Sequence, residues 1–326
     1  MDSRTVKRLL KALAVVAIAL VALFLILRTP DTDPKAMRAK YAQSPSQFVT
    51  LDSGERVHLR DEGPRSGVPI VLLHGSNADL HTWQPWVEQL ARIHRVIRFD
   101  QRGHGLTGPA PDGDYSRNAF AADVERVADA LELDRFVLAG NSMGGGIALE
   151  FALAHPDRLA GLVLVDAGGA PQTEKAKGNI GFTLARMPGT AWLIRSITPR
   201  SLIEKSLRQS VTNKAVVTDA AVDRYWELLR YPGNRQATAT RFATPQTPFT
   251  EAQLAGLKVP TLIIWGERDP LIPLSSGRWL AQHIPGARIE VLPGIGHIPM
   301  EEAPEASASL LETWLTAQTP SAHPRQ

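Results

Sequence analysis

The chain has 326 residues, 44% of them apolar, which suits one large α/β domain or one with an inserted subdomain. It contains no cysteine, and this excludes a disulfide framework, a thiolate metal site and a cysteine nucleophile. The net charge of +3 is local: Arg4, Lys7, Arg8, Lys11 and Arg28 against Asp2 put +4 in residues 1–28 and leave −1 for the rest, so a pI of 9.3 is no argument for nucleic-acid binding.

Those first charges flank an uninterrupted apolar run over residues 12–27, extended by Leu9, Leu10 and the snorkelling Lys11. The run predicts a transmembrane helix. A core helix would show a polar stripe, and a cleaved signal peptide would offer small residues where Arg28, Thr29, Pro30 and Asp31 stand. Four of the five cations precede the run, so the N-terminus is expected in the cytoplasm and the main domain across the membrane. For a bacterial source that means an inner-membrane anchor with a periplasmic domain; the alternative is secretion after cleavage.

Residues 29–47 are polar, carry Pro30, Pro34 and Pro45, and read as a linker. Residues 48–51 and 56–60, on either side of Asp52-Ser53-Gly54, predict a β-hairpin. Strands and helices then alternate: strands at 70–73, 95–99, 135–139, 162–165, 262–265 and 289–292, and helices at 83–93, 119–133, 147–154 and 307–317. This order predicts a mostly parallel sheet wrapped by helices. The alternation fails over residues 168–258, where helical stretches at 181–186, 201–209 and 220–230 are punctuated by prolines. Such a stretch is too long for an ordinary connection and reads as a helical cap inserted into a core of residues 48–167 and 259–317, with 318–326 as a flexible tail.

The chemistry is carried at strand ends. Gly140-Asn141-Ser142-Met143-Gly144 stands between a predicted strand and a helix. That G-x-S-x-G context forces a strained turn and exposes the serine hydroxyl at a helix N-terminus. No G-K-[ST] follows, so a nucleotide-binding phosphate loop is excluded. A serine needs a base, and the base needs a carboxylate, in the chain order Ser, acid, His. Asp269 follows the strand at 262–265, and His297 follows the strand at 289–292, just after Gly294-Ile295-Gly296. Asp166 and Glu267 are rivals for the acid, and His104 for the base; chain order and turn position favour Asp269 and His297. The two N–H donors of an oxyanion hole are expected from Met143 and from Ser76, in the turn after the strand at 70–73. His74 is expected to brace that turn.

Taken together, His74-Gly75, Asp100-Gln101-Arg102-Gly103-His104-Gly105, Gly140-Asn141-Ser142-Met143-Gly144-Gly145, Trp265-Gly266-Glu267-Arg268-Asp269 and Gly296-His297-Ile298-Pro299-Met300 resemble the α/β-hydrolase superfamily over residues 48–317. The motifs most resemble bacterial serine esterases and lipases. The resemblance implies that Ser142 is the nucleophile, Asp269 the acid, His297 the base, and Ser76 and Met143 the oxyanion donors. It implies an acyl-enzyme route for carboxylic esters, with no cofactor, no metal, and a small-molecule or lipid-like ester as partner. Hydrolases of carbon–carbon bonds in ring-fission products share the Gly-Asn-Ser-Met-Gly-Gly string. They usually show a glycine-rich oxyanion turn and a tryptophan after the histidine, where this chain has Gly75-Ser76-Asn77-Ala78-Asp79 and Ile298. Dehalogenases and epoxide hydrolases of this fold carry aspartate at the position of Ser142. A catalytically silent binding or scaffold module is the reading from a different class. Trp192, Trp226 and Phe182 are candidates for the pocket wall under the cap.

Overall fold

A computed structural model describes residues 2–318 apart from 172–173, 175–179, 181–182 and 184–194. Helix α1, Ser3–Leu27, is capped by the Asp2 side chain; it is long and apolar enough to cross a membrane, and none of its apolar window is buried. The stretch read as a linker is more ordered than expected. Pro34–Tyr41 forms helix α2, with Pro34 in its first turn and the Asp33 carboxylate accepting the Ala36 N–H at 2.7 Å. Met37 and Tyr41 are buried against Leu106, Leu228 and Tyr231. Burying an apolar side chain of this kind contributes ~1.5–3 kcal/mol.

Eight strands follow, in one sheet of order β1-β2-β4-β3-β5-β6-β7-β8. β1 (Gln47–Thr50) and β2 (Arg56–Glu62) are the expected antiparallel hairpin, and β2 is antiparallel to β4 (Val96–Phe99). β3 (Ile70–Leu73), β4, β5 (Phe136–Asn141), β6 (Leu159–Val165), β7 (Thr261–Gly266) and β8 (Arg288–Leu292) run parallel. The strands β3, β4, β5 and β7 are buried along their whole length, as strands covered on both faces must be. Side chains alternate between two cores. Val71 and Leu73 face helices α4 (Arg117–Ala130) and α5 (Met143–Ala154) through Phe120, Val124 and Phe151. Ile70 and Leu72 face α3 (Gln84–Leu90) and the C-terminal helix Pro304–Gln318 through Trp86, Leu311 and Trp314.

Between β6 and β7 the described residues hold helices and no strand: α6 (Arg200–Ser210), α7 (Asp219–Leu229), α8 (Asn234–Ala243) and α9 (Glu251–Ala255). The helical stretch expected at 181–186 falls largely outside the described residues. After β7 come α10 (Leu274–His283), then β8, α11 (Pro299–Glu302) and the C-terminal helix α12 (Pro304–Gln318). The segment after α1 is laced to the helices between β6 and β7. The Thr29 N–H donates to the Ser196 carbonyl at 2.7 Å and the Thr32 N–H to the Arg230 carbonyl at 2.9 Å. Arg235 donates to the Thr29 carbonyl at 2.8 Å and Arg230 to the Pro30 carbonyl at 3.1 Å. The linker read at residues 29–47 is therefore docked over residues 29–41: proline and capped-helix chemistry let this stretch pack.

Candidate active site

Ser142 separates β5 from α5 and has φ +54° and ψ −115°, a conformation that costs energy for any residue with a Cβ. The turn closes because Gly140 and Gly144 lack side chains: a Cβ on Gly140 would lie 2.2 Å from the Gly144 carbonyl oxygen. Four further bonds fix the elbow. The Ser142 N–H donates to the Val165 carbonyl at 3.0 Å, and its carbonyl accepts the Gly168 N–H at 2.8 Å. The Asn141 amide donates to the carbonyls of Val165 and His297, both at 3.1 Å.

Asp269 and His297 lie in the turns after the neighbouring strands β7 and β8. The His297 Nδ1–H donates to Asp269 Oδ2 at 2.7 Å. Asp269 Oδ1 accepts the backbone N–H groups of Leu271 at 2.7 Å and Ile272 at 3.0 Å, so the carboxylate is held on both oxygens. With Nδ1 protonated, Nε2 is the nitrogen left to accept a proton. The His297 backbone is itself pinned, its N–H donating to the Ser210 carbonyl at 2.8 Å. Glu302 adds a clamp: Oε2 accepts the Gly296 N–H at 2.9 Å and Oε1 accepts those of Thr212 and Asn213 at 2.8 and 2.6 Å.

Ser142, His297 and Ser76 share the wall of a cavity of ≈ 100 Å³. Its far wall comes from α6, α7 and α8 and includes Leu202, Leu207, Tyr225, Arg235 and Thr238. Met143 packs its side chain into the core and brings its backbone N–H, at the start of α5, to this end of the sheet. The turn carrying Ser76 is braced by His74, whose Nδ1–H donates to the Gly75 carbonyl at 2.8 Å while Nε2 accepts the Gln101 N–H at 3.1 Å. Burial holds the His74 imidazole below its ordinary pKa, in the neutral form that this pair of bonds needs.

The structure does not bring every candidate together. His104 is buried away from the cavity, its Nδ1–H donating to the Arg102 carbonyl at 2.9 Å. Glu267 accepts the Gly294 N–H at an exposed position. Trp226 donates its indole N–H to the Thr198 carbonyl at 2.7 Å and does not line the cavity; Phe182 and Trp192 lie outside the described residues. Asp166, at the end of β6, does reach the group: one donor atom from each of Asp166, Asp269 and His297 lies within 4.8 Å of the other two. The bond between Nδ1 and Oδ2 already occupies the imidazole and carboxylate atoms that a metal ion would need. The sequence reading missed Glu302 and Arg235. Nothing in local pattern marks them, because their roles arise only where α11 and α8 meet the sheet edge.

A family model described as "alpha/beta hydrolase fold" matches residues 68–304. The chain belongs to the α/β-hydrolase family. This hydrolase is 30% identical over 81% of its length to a 2-hydroxymuconate semialdehyde hydrolase of Pseudomonas sp. (strain CF600), covering 92% of that protein. It is 29% identical over 83% of its length to a 2-hydroxy-6-oxo-2,4-heptadienoate hydrolase of Pseudomonas putida F1, covering 96% of that protein. Among solved structures, a meta-cleavage product hydrolase from Pseudomonas fluorescens IP01 superposes with a TM-score of 0.72 at 24% identity, over 84% of this chain and 98% of that one. That last likeness concerns the fold.

These relatives correct the expectation of carboxylic ester cleavage. The compounds in their names contain no ester bond. The two local departures that had counted against carbon–carbon cleavage weigh little in physical terms. Oxyanion donors are backbone N–H groups, which a Gly75-Ser76-Asn77 turn supplies as a glycine-rich one does. Ile298 is one apolar residue in the cavity wall.

Proposed function

We propose that this hydrolase cleaves a carbon–carbon bond in ring-fission-type diketones, using Ser142 as nucleophile, His297 as base and acid, and Asp269 as the carboxylate that orients His297. The observation that carries the reading is the 2.7 Å His297–Asp269 bond beside Ser142 in one cavity, in a chain similar along most of its length to hydrolases of 2-hydroxy-6-oxo-dienoates.

The chemistry follows from the substrate class. Carbon is a poor leaving group unless its electron pair is delocalised. In the keto form of a 2-hydroxy-6-oxo-dienoate, the carbon next to the distant ketone is conjugated to the 2-oxo acid. Ser142 Oγ adds to that ketone as His297 Nε2 takes its proton, and the backbone N–H groups of Ser76 and Met143 stabilise the oxyanion. The bond between the ketone carbon and its neighbour then breaks. The electrons pass through the conjugated system to the 2-oxo oxygen, and the proton held by His297 ends on that oxygen as the 2-hydroxydienoate departs. Water, deprotonated by His297, releases the acyl group from Ser142. The sum is one substrate and one water giving a carboxylic acid and a shortened 2-hydroxydienoate. Arg235 lines the cavity wall while pairing with Asp31 at 2.6 Å, and the substrate carboxylate would share that guanidinium. Residues 168–258 act as the cap that keeps bulk water from the carbanion-like leaving group, and α1 anchors the enzyme in a membrane with the hydrolase domain on the periplasmic side of a bacterial cell.

The test is absorbance decay of purified 2-hydroxy-6-oxo-2,4-heptadienoate beside a panel of p-nitrophenyl esters. Turnover of the dienoate with release of acetate supports the reading. Efficient turnover of esters with none of the dienoate overturns it. Failure of Ser142 to react with a fluorophosphonate, together with no turnover of either class, marks a silent scaffold.

A further inference from the structure

Asp166 is a second carboxylic acid buried against the first, and the mechanism above leaves it unused. It follows β6 directly, with φ +44° and no solvent exposure. Its N–H donates to the Ile264 carbonyl at 3.0 Å, and its Oδ1 accepts the Gly266 N–H at 2.9 Å. Both bonds go to β7, the strand that delivers Asp269. Oδ2 is buried and receives no hydrogen bond from any donor among the described residues, in the cluster formed with Asp269 and His297. The titratable groups that face it are Asp269 from the turn after β7, His297 from the turn after β8, and Glu302 from α11. Two of those are acids and no lysine or arginine is among them. A charged Asp166 would therefore place a second buried negative charge beside Asp269 with no lysine or arginine facing it.

We propose that Asp166 is held as a neutral acid whose Oδ2 proton is directed at the Asp269 carboxylate, making Asp166 a positioning residue for the acid–histidine pair. The proton gives the orphaned Oδ2 a donor role, and it limits the rotation of a carboxylate whose other contacts are the Leu271 and Ile272 N–H groups and His297. Burial first and then the Asp269 charge push the Asp166 carboxyl well above the usual carboxylate range; the Gly266 N–H opposes them, and the side-chain contact with Asp269 and the Glu302 charge add less. This rests on the reading of Ser142, Asp269 and His297 as a triad, and not on which bond the enzyme breaks.

The test measures the rate of Ser142 phosphonylation by a fluorophosphonate across pH, in the full chain, for wild type, Asp166→Asn, Asp166→Leu and Asp269→Asn. An amide N–H replaces the acid O–H, so Asp166→Asn should stay within ~3-fold of wild type. Leucine removes the donor. Asp166→Leu should lose ~10-fold or more, the worth of one hydrogen bond to a charged group, and its acid limb should move to higher pH as His297 faces an undamped Asp269 charge. Equal rates and equal acid limbs for the two Asp166 variants would overturn the proposal. So would an Asp166→Asn loss as deep as that of Asp269→Asn, which would make Asp166 the ionised acid. Should Asp166→Leu not fold, the infrared spectrum decides. A protonated-carboxyl stretch at neutral pH, present in wild type and missing in Asp166→Asn, supports the proposal, and no difference overturns it. A wild type that is not labelled at Ser142 at all faults the triad reading instead.

Discussion

At Ser142 two demands meet, reactivity and a backbone that only a rigid frame tolerates. Ser142→Ala should lower kcat by ~10³ or more and abolish fluorophosphonate labelling, because in the proposed mechanism the hydroxyl alone forms the covalent bond. Ser142→Gly should lose activity equally yet melt above Ser142→Ala, since glycine takes φ +54° without strain worth ~1 kcal/mol. Equal melting temperatures for the two would show that the elbow stores no strain. Glu55 makes a separate prediction. Burial, and then the nearby Asp123, raise its carboxyl from 4.5 to about 7, with Arg102 only partly opposing. The folded state then holds a proton that the unfolded state releases between those values, so stability falls as pH rises from 4.5 to about 7. Glu55→Gln should flatten that part of a Tm–pH curve, and an unchanged slope would refute the assignment. The order Ser142, Asp269, His297 was legible because each residue sits in a turn with its own local signature. The closeness of Asp166 was not, because it depends on β6 and β7 being neighbours in the sheet, and their register is invisible in sequence.

Whole elements tell the same story of local against non-local information. Strands β3, β4, β5 and β7 were readable, since their apolar runs are buried on both faces. Helix α5 starts at Met143 rather than at residue 147 because three glycines let it press onto the sheet, against their weak intrinsic helix preference. Helix α8 escaped the sequence reading for a different reason. Its buried side include Asn234, Arg235, Thr238 and Arg241, so its inward face is polar and gives no apolar period. The turns after β7 and β8 meet through glycine: a Cβ at Gly266 would fall 2.0 Å from the Gly296 carbonyl oxygen. Gly266→Ala should therefore push the Asp269 turn away from the His297 turn. The expected result is a loss of ~1–3 kcal/mol in urea unfolding and a fall in kcat larger than any rise in KM. A variant with wild-type kinetics would show that the two turns adjust independently.

For the molecule as a whole, α1 joins neither the core clusters nor the cavity wall among the described residues, so deletion of residues 1–28 should give a soluble enzyme of near wild-type activity. Deletion through residue 41 should not. It removes the buried Met37 and Tyr41 and the bonds of residues 29–32, and a Tm drop of several degrees should follow, in line with ~1.5–3 kcal/mol per buried side chain. Equal melting of the two truncations would mean the segment is only a tether. The docking of that segment also imposes an order of events. A processing peptidase must draw the chain behind its apolar helix into a cleft, but here the backbone at Thr29 and Thr32 is already bonded to Ser196 and Arg230. Trimming after Leu27 is thus open to the nascent chain and closed to the folded one: whichever N-terminus the protein has when this segment settles is the one it keeps.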